Sequence, residues 1–353
     1  MKKLVSLLMA LCMMVSLAAC GGQEQTTDEG GAESDNGGYK IAFSNSYVGN
    51  AWRTAAVNIF DGYTADLVEQ GVLSKAYSSS AGDDVQAQIN EIRNMMSEGY
   101  DAIVCIAASA TGLQSVLEEA AERGIVVVCF DTTVDSDLVY NVNTDQFEYG
   151  RLLAQSLADR MGGEGNILWI KGIEGNQVTL DRTEGMQSVL DNYPGINVLG
   201  DGYGKWDDST TASVMSNLMS AYASQGIDGI LSEGGGGHAI VQSLVENGID
   251  PATVPISEGE MFNSFMKDWV EMDLDAFCTA QPPYLAAAAV DVALKVLNGE
   301  EVEPMTYVDL PTCSSKEEAE EKWYQPDQEG GFVCDWTDNN NTWNLTIEDV
   351  APN

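Results

Sequence analysis

The sequence predicts an α/β protein built as two doubly wound lobes, each a parallel sheet covered by helices, joined by a three-segment hinge. Three observations carry this prediction. From Tyr39 onward, short apolar runs and helical runs alternate with little interruption, as in a parallel sheet with crossover helices. The apolar runs are continuous, as in Ile125-Val126-Val127-Val128-Cys129-Phe130, which suits strands covered on both faces. The alternation then restarts after Tyr140 to Asp145, and strand and helix return at Asp275 to Leu297, so the chain crosses between the lobes more than once.

The segment ahead of this pattern sets the compartment. Lys2 and Lys3 precede the apolar run Leu4 to Leu17, and Leu17-Ala18-Ala19-Cys20 follows. This is the form of a secretory signal, and the run is shorter than the ~20 apolar residues of a spanning helix. Gly21 to Gly38 is rich in Gly, Glu, Asp, Gln and Thr without an apolar pattern, and reads as a flexible tether.

The first strand is expected at Tyr39 to Asn45. A polar turn follows it, and then a helix in which Trp52, Ala55, Ala56, Ile59, Phe60, Tyr63 and Leu67 recur at helical spacing. Trp52 reads either as the first core residue of that helix or as a ligand contact at a strand end. Further strands are expected at Ala76 to Ser80, Asp101 to Ala107 and Ile125 to Thr132. Helices carrying Val85, Ile89, Ile92, Met95 and Met96, and then Leu113, Val116, Leu117 and Ala120, lie between them. The second series has strands at Asn166 to Lys171, Asn197 to Tyr203, Gly229 to Glu233 and Val254 to Glu258. One more strand, Asp275 to Gln281, leads into the helix Tyr284 to Leu297. Crossings near Asn143, Gln281 and Tyr307 place residues 39–143 and 281–307 in the N-terminal lobe, with 144–280 and 308–353 in the C-terminal lobe. Three short crossings would act as a hinge, absorbing rotation while each lobe stays rigid.

Composition excludes several function classes. With 55 acidic residues against 16 basic ones and a formal charge of −39, the chain repels the phosphates that nucleic-acid binders neutralise. Seven cysteines are present. Cys12 leaves with the signal, and Cys105, Cys129 and Cys278 lie in apolar strand-like runs and read as small core residues. The spacings match no Cys-x-x-Cys metal pattern, and His238 is the single histidine, so neither a metal nor another cofactor is expected. An exported chain permits a disulfide between Cys313 and Cys334. The glycine run Gly234 to Gly237 lacks the Gly-Lys-Ser/Thr ending of a phosphate loop, and reads as a flexible turn before the helix at His238.

Each strand ends on residues that a core would not choose. Asn45, Asn50, Trp52 and Arg53 follow the first and Phe130-Asp131-Thr132 the fourth, while Gly172 to Arg182, including Asn176, follows Lys171. Lys205-Trp206-Asp207, Ser232-Glu233, Ser257-Glu258 and Ala280-Gln281 mark later ends. In open α/β sheets ligands bind at such ends. Carboxylates, amides and the arginine fork exchange hydrogen bonds with hydroxyls, and aromatic faces cover C–H patches, so the chemistry suits a carbohydrate.

These segments, with the leader ending at Cys20, resemble the type I periplasmic sugar-binding proteins, the ribose- and galactose-binding group of ABC-importer receptors. The resemblance covers roughly Tyr39 to Asp309 and is most specific at Phe130-Asp131, Asp181-Arg182-Thr183-Glu184-Gly185 and Thr279-Ala280-Gln281-Pro282. It implies that Cys20 is lipidated and becomes the mature N-terminus, and that Trp52 stacks on the sugar. Asp131 and Arg182 would bind ring hydroxyls, Trp206 would be a second aromatic, and Gln281 the amide near the hinge. Glu233 stands where Asn or Asp is usual and Glu258 where Asp is usual. Thr132 replaces a further arginine of ribose-binding members and Ser257 an aromatic, which counts against ribose itself. Arg53 either faces the sugar or pairs with a carboxylate opposite.

The resulting expectation is a non-enzymatic, monomeric lipoprotein, extracytoplasmic and held to the membrane through Cys20. It would close over a neutral or amine-bearing monosaccharide rather than a sugar acid, and pass it to an ABC transporter permease. The alternatives are a sugar-signal receptor for chemotaxis or quorum sensing, and a glycosidase using Glu233 and Glu258 as its carboxylate pair.

Overall fold

A computed structural model describes residues 37–334. The signal at 1–20 with Cys20, nearly all of the tether, and the tail from residue 335 lie outside the described residues.

The strands form two six-stranded sheets. The first contains β1 (Tyr39–Asn45), β2 (Leu73–Ser80), β3 (Ala102–Ile106), β4 (Val126–Phe130), β5 (Tyr140–Asn143) and β11 (Met305–Tyr307). They lie in the order β11-β5-β4-β3-β1-β2, and every pairing is parallel. Helices α1 (Ala51–Glu69), α2 (Val85–Glu98) and α3 (Ala110–Glu122) connect its early strands. Successive strand residues point to opposite faces, and here both faces are buried. Ile41, Phe43, Val104 and Phe130 pack with α1 and with α9 (Leu285–Leu297), whereas Ala42, Ile103, Cys105 and Cys129 pack with α2 and α3. That two-sided burial is why the strands read as continuous apolar runs.

The second sheet contains β6 (Glu164–Lys171), β7 (Gly195–Tyr203), β8 (Gly229–Ser232), β9 (Ile256–Gly259), β10 (Ala276–Thr279) and β12 (Thr312–Cys313), in the order β12-β10-β9-β8-β6-β7. All pairings are parallel except that of β12 with β10. On one face lie α4 (Gln146–Arg160) and α5 (Gln177–Leu190), packed on Ile167, Trp169, Leu231 and Phe277. The other face packs against α6 (Asp208–Tyr222), α7 (Gly237–Glu246) and α8 (Asn263–Met272). A short turn, α10 (Lys316–Glu318), ends on a π-helical turn, Ala319–Trp323.

The chain passes from the first sheet to the second after β5, returns between β10 and α9, and leaves again between β11 and β12. Gln281 sits in the second of these passages.

Two expectations fail here. Cys313 and Cys334 form no disulfide, and all five cysteines among the described residues are thiols. Each of the two is buried in the apolar core of the second sheet. Cys313 stands opposite Cys278 in the β10–β12 register, while the Cys334 amide bonds to the Met261 carbonyl, so backbone pairing ties each cysteine to a different segment rather than to the other. The Gly234 to Gly237 turn is buried rather than slack. A Cβ at Gly235 would lie 2.5 Å from the Trp206 backbone, and one at Gly236 2.3 Å from Thr211 Oγ1. The glycines are there for close packing.

Candidate ligand-binding site

Loops at the carboxyl ends of both sheets enclose a cavity of about 280 Å³, at the small end of the range for ligand pockets. Its wall includes Asn50, Trp52, Arg53, Asp131, Asn176, Arg182, Trp206 and Gln281, eight of the residues expected from the sequence.

Asn50 and Asn176 begin α1 and α5 as N-caps, accepting from the amides of Arg53 and Val178. Their side chains satisfy donors that a helix start otherwise leaves open, so part of their polarity is structural. Trp52, in the first turn of α1, is half-buried. Its indole packs against the apolar cluster of the first sheet, and its Nε1 donates to the Gln281 carbonyl at 2.7 Å. Core anchor and cavity wall are therefore two sides of one ring.

The polar side of the cavity is a chain of paired groups. Asp131, just past β4, has φ of 61°, a left-handed conformation that Asp tolerates better than most residues. It accepts from Arg53 Nη2 at 2.8 Å through Oδ2, and from Gln281 Nε2 at 2.6 Å through Oδ1. Gln281 Oε1 in turn accepts from Arg182 Nη2 at 3.1 Å and from Gln146 Nε2. Asp131, Gln281 and Arg182 thus link the first sheet, a crossing segment and α5.

Arg182 is only 2% exposed, and a buried guanidinium needs its donors matched. Nε donates to Gln146 Oε1 at 2.8 Å and Nη1 to the Glu233 carbonyl at 2.9 Å, while Nη2 lies 3.7 Å from Glu260 Oε1. The guanidinium stacks 3.6 Å over the Tyr149 ring. Two glycines make this placement possible. A Cβ at Gly150 would lie 2.0 Å from the Arg182 carbonyl oxygen, and one at Gly185 2.0 Å from that of Phe147, so α4 and α5 touch backbone to backbone.

Trp206 follows β7 with φ of 55° after Lys205 at 59°. Its indole covers Gly172, where a Cβ would meet Cε2 at 2.4 Å, and its buried Nε1 has no hydrogen-bond partner among the described residues.

Glu233 and Glu258 do not reach the cavity wall, which corrects their expected role. The Glu233 carboxylate accepts from the Gly172 amide and from Thr183 Oγ1, each at 2.9 Å, so it supports the β6–α5 loop. Burial pushes its pKa up to about 7, with Arg182 opposing. Glu258 lies inside β9, in register with Cys278, and accepts from the Gly236 amide at 3.2 Å; burial pushes it up to about 8. From this part of the second sheet the carboxylate that joins Asp131 and Asp83 on the cavity wall is Glu260, one residue beyond β9, with φ of 72°. Burial takes it to about 7 against the pull of Arg182. The strand predicted to end at Glu258 runs one residue further, to Gly259, and Glu260 follows it.

Other wall residues had no signal of their own. Tyr47, Asp83 and Phe262 come from loops, whereas Gln146 and Tyr149 act from α4 by holding Arg182. Among the described residues no group of His, Cys, Asp and Glu could hold a metal ion, and no helix is long and apolar enough to cross a membrane.

Residues 41–301 match a family model described as a periplasmic binding protein domain. The xylitol-binding protein of Mycolicibacterium smegmatis is 31% identical over 172 residues, which is 48% of this chain and 49% of that protein. The D-xylose-binding periplasmic protein of Escherichia coli is 31% identical over 87 residues, 24% of this chain and 26% of that one. The chain thus spans half or less of the length of these two relatives. Among solved structures, an ABC transporter solute binding protein from Thermobispora bispora superposes with a TM-score of 0.73 at 20% identity, covering 84% of this chain and 90% of the other. At that identity the match speaks to the fold alone.

Proposed function

Since the chain belongs to the periplasmic binding protein family, in its type I sugar-binding group, we propose that it is the substrate-binding lipoprotein of a carbohydrate ABC importer. In this reading one monosaccharide binds between two lobes, residues 39–143 with 281–307 and residues 144–280 with 308–353. The three passages between the sheets act as the hinge. Cys20 carries the lipid anchor, the segment to Gly38 is the tether, and the chain works as a monomer that delivers its sugar to a permease. The family is extracytoplasmic, and the relatives described above are binding proteins, not enzymes.

One observation carries the reading: a small cavity in which Arg53, Asp131, Gln281 and Arg182 form a continuous hydrogen-bonded chain beside the rings of Trp52 and Trp206. Such a chain exchanges its internal hydrogen bonds for sugar hydroxyls at little desolvation cost. The lining charges, Arg53 and Arg182 against Asp83, Asp131 and Glu260, favour a neutral or amine-bearing sugar over a uronate. The relatives that bind xylitol and D-xylose make five-carbon sugars and polyols the first to test. Glu233 and Glu258 stand off the cavity, so the glycosidase alternative has lost its carboxylate pair.

A thermal-shift and calorimetric screen of D-xylose, xylitol, other pentoses, hexoses, deoxy sugars and uronates tests this, because a ligand that binds only the folded state raises the melting temperature. Saturable binding with the sugar recovered unchanged is expected, together with loss of the shift in Trp52→Ala. A shift with none of these sugars, or turnover of a labelled one, would overturn the proposal.

A further inference from the structure

The β1–α1 loop folds an aromatic ring back onto a glycine. The Tyr47 ring is half-buried on the cavity wall, and a Cβ built at Gly49 would lie 2.7 Å from Tyr47 Cε2 and 2.8 Å from Cδ2. A Cβ at residue 49 would push the end of the flexible Tyr47 side chain off this seat, where Asn50 Nδ2 also donates to the Tyr47 hydroxyl at 3.4 Å. The Gly49 backbone is not left-handed, so the absent Cβ, not an unusual φ, is what the position supplies.

On the cavity side, Arg53 places its guanidinium 5.3 Å from the Tyr47 ring centre and 5.6 Å from that of Trp52. The same guanidinium binds Asp131 at 2.8 Å, with both side chains largely buried at 11% and 17% exposure. The Tyr47 carbonyl accepts from Asn45 Nδ2 at 2.7 Å, which fixes the base of the loop. Gly49, Tyr47, Arg53 and Asp131 therefore form a contact series running from the loop into the polar chain of the cavity.

We infer that Tyr47, seated by Gly49, is a ligand-capping residue: its ring covers the Arg53–Asp131 pair and lies against the C–H face of a bound sugar, slowing its escape. The inference rests on the monosaccharide-site reading above. It adds that affinity is set partly by one ring outside the paired polar network, and that Gly49 acts on binding only through that ring.

A double-mutant cycle tests it. Wild type, Tyr47→Ala, Gly49→Ala and the double variant Tyr47→Ala/Gly49→Ala are compared by calorimetry and stopped-flow dissociation, using the tightest sugar of the screen starting from D-xylose and xylitol. An aromatic contact is worth about a three- to tenfold change in affinity, so Tyr47→Ala and Gly49→Ala are each expected to release sugar faster by about that factor. The double variant should match Tyr47→Ala alone. Melting curves without sugar confirm that each variant folds. Independent, multiplying losses at the two positions, or wild-type dissociation in Tyr47→Ala, would overturn the inference while leaving the sugar-site reading standing. Absence of binding in wild type overturns both.

Discussion

Asp131 holds two partners that single substitutions separate. Asn tolerates the left-handed backbone at this position and keeps an acceptor oxygen, but carries no charge for Arg53. For Asp131→Asn we expect a folded protein whose sugar affinity falls about tenfold, the difference between a charge-assisted and a neutral hydrogen bond, measured by calorimetry. Unaltered affinity would mean that the charge plays no part in binding. Arg182→Lys is the harsher change. An ammonium reproduces neither the fork that reaches Gln146, Glu233 and Gln281 nor the stacking on Tyr149. Leaving one of these buried acceptors unpaired costs about 1–3 kcal/mol, and both sugar binding and melting temperature should drop; a variant as stable as wild type would contradict the network's structural role. Most of these residues were legible because each follows a predicted strand end. Glu260 was not, since only the register of β9 distinguishes it from Glu258.

At the scale of elements, the contact of α4 with α5 decides where Arg182 points. Gly150 and Gly185 let the two helices meet at backbone distance, and a methyl group at either position forces them apart. Overpacking of this kind costs about 1–3 kcal/mol. Gly150→Ala is expected to lower the melting temperature and to weaken sugar binding more than a surface substitution of equal thermal effect, because the displaced atom is the carbonyl of Arg182 itself. Equal loss of binding in the two would show that Arg182 does not depend on this contact. Nothing in the local sequence marks these glycines, since helical glycine reads there only as a weak helix former. Their meaning comes from the opposite helix.

At the scale of the whole molecule, burial of acids shapes the pH dependence. Glu233 and Glu260 are pushed to about 7, Glu258 to about 8 and Asp291 to about 6. In each case the native state holds a proton that the unfolded chain has lost above about pH 4.5. The unfolded state then binds fewer protons, so stability falls as pH rises through this window and levels off above about pH 8. For Glu258 alone the ceiling is about 5 kcal/mol, from the cost of each shifted unit. Melting curves of the sugar-free protein should move to lower temperature between pH 5 and pH 8, and Glu258→Gln should flatten that slope by raising the value at pH 8. A slope unchanged in Glu258→Gln would place its carboxyl in a more polar setting than the β9 core.

By itself the sequence determined the two parallel-sheet lobes, the repeated crossings and eight of the cavity-lining positions, because these follow from local signals: continuous apolar runs, helical spacing and polar residues at strand ends. It also located Asp131, Arg182 and Gln281 without showing that they bond to one another. The tertiary structure alone decided that Glu260, not Glu233 or Glu258, faces the cavity, that Cys313 and Cys334 stay thiols, and that Glu233 supports a loop behind the site. Those outcomes depend on register and on backbone approach between distant segments, whether Gly150 against Arg182 or Gly235 against Trp206, and such distances are set only when the sheets and helices pack.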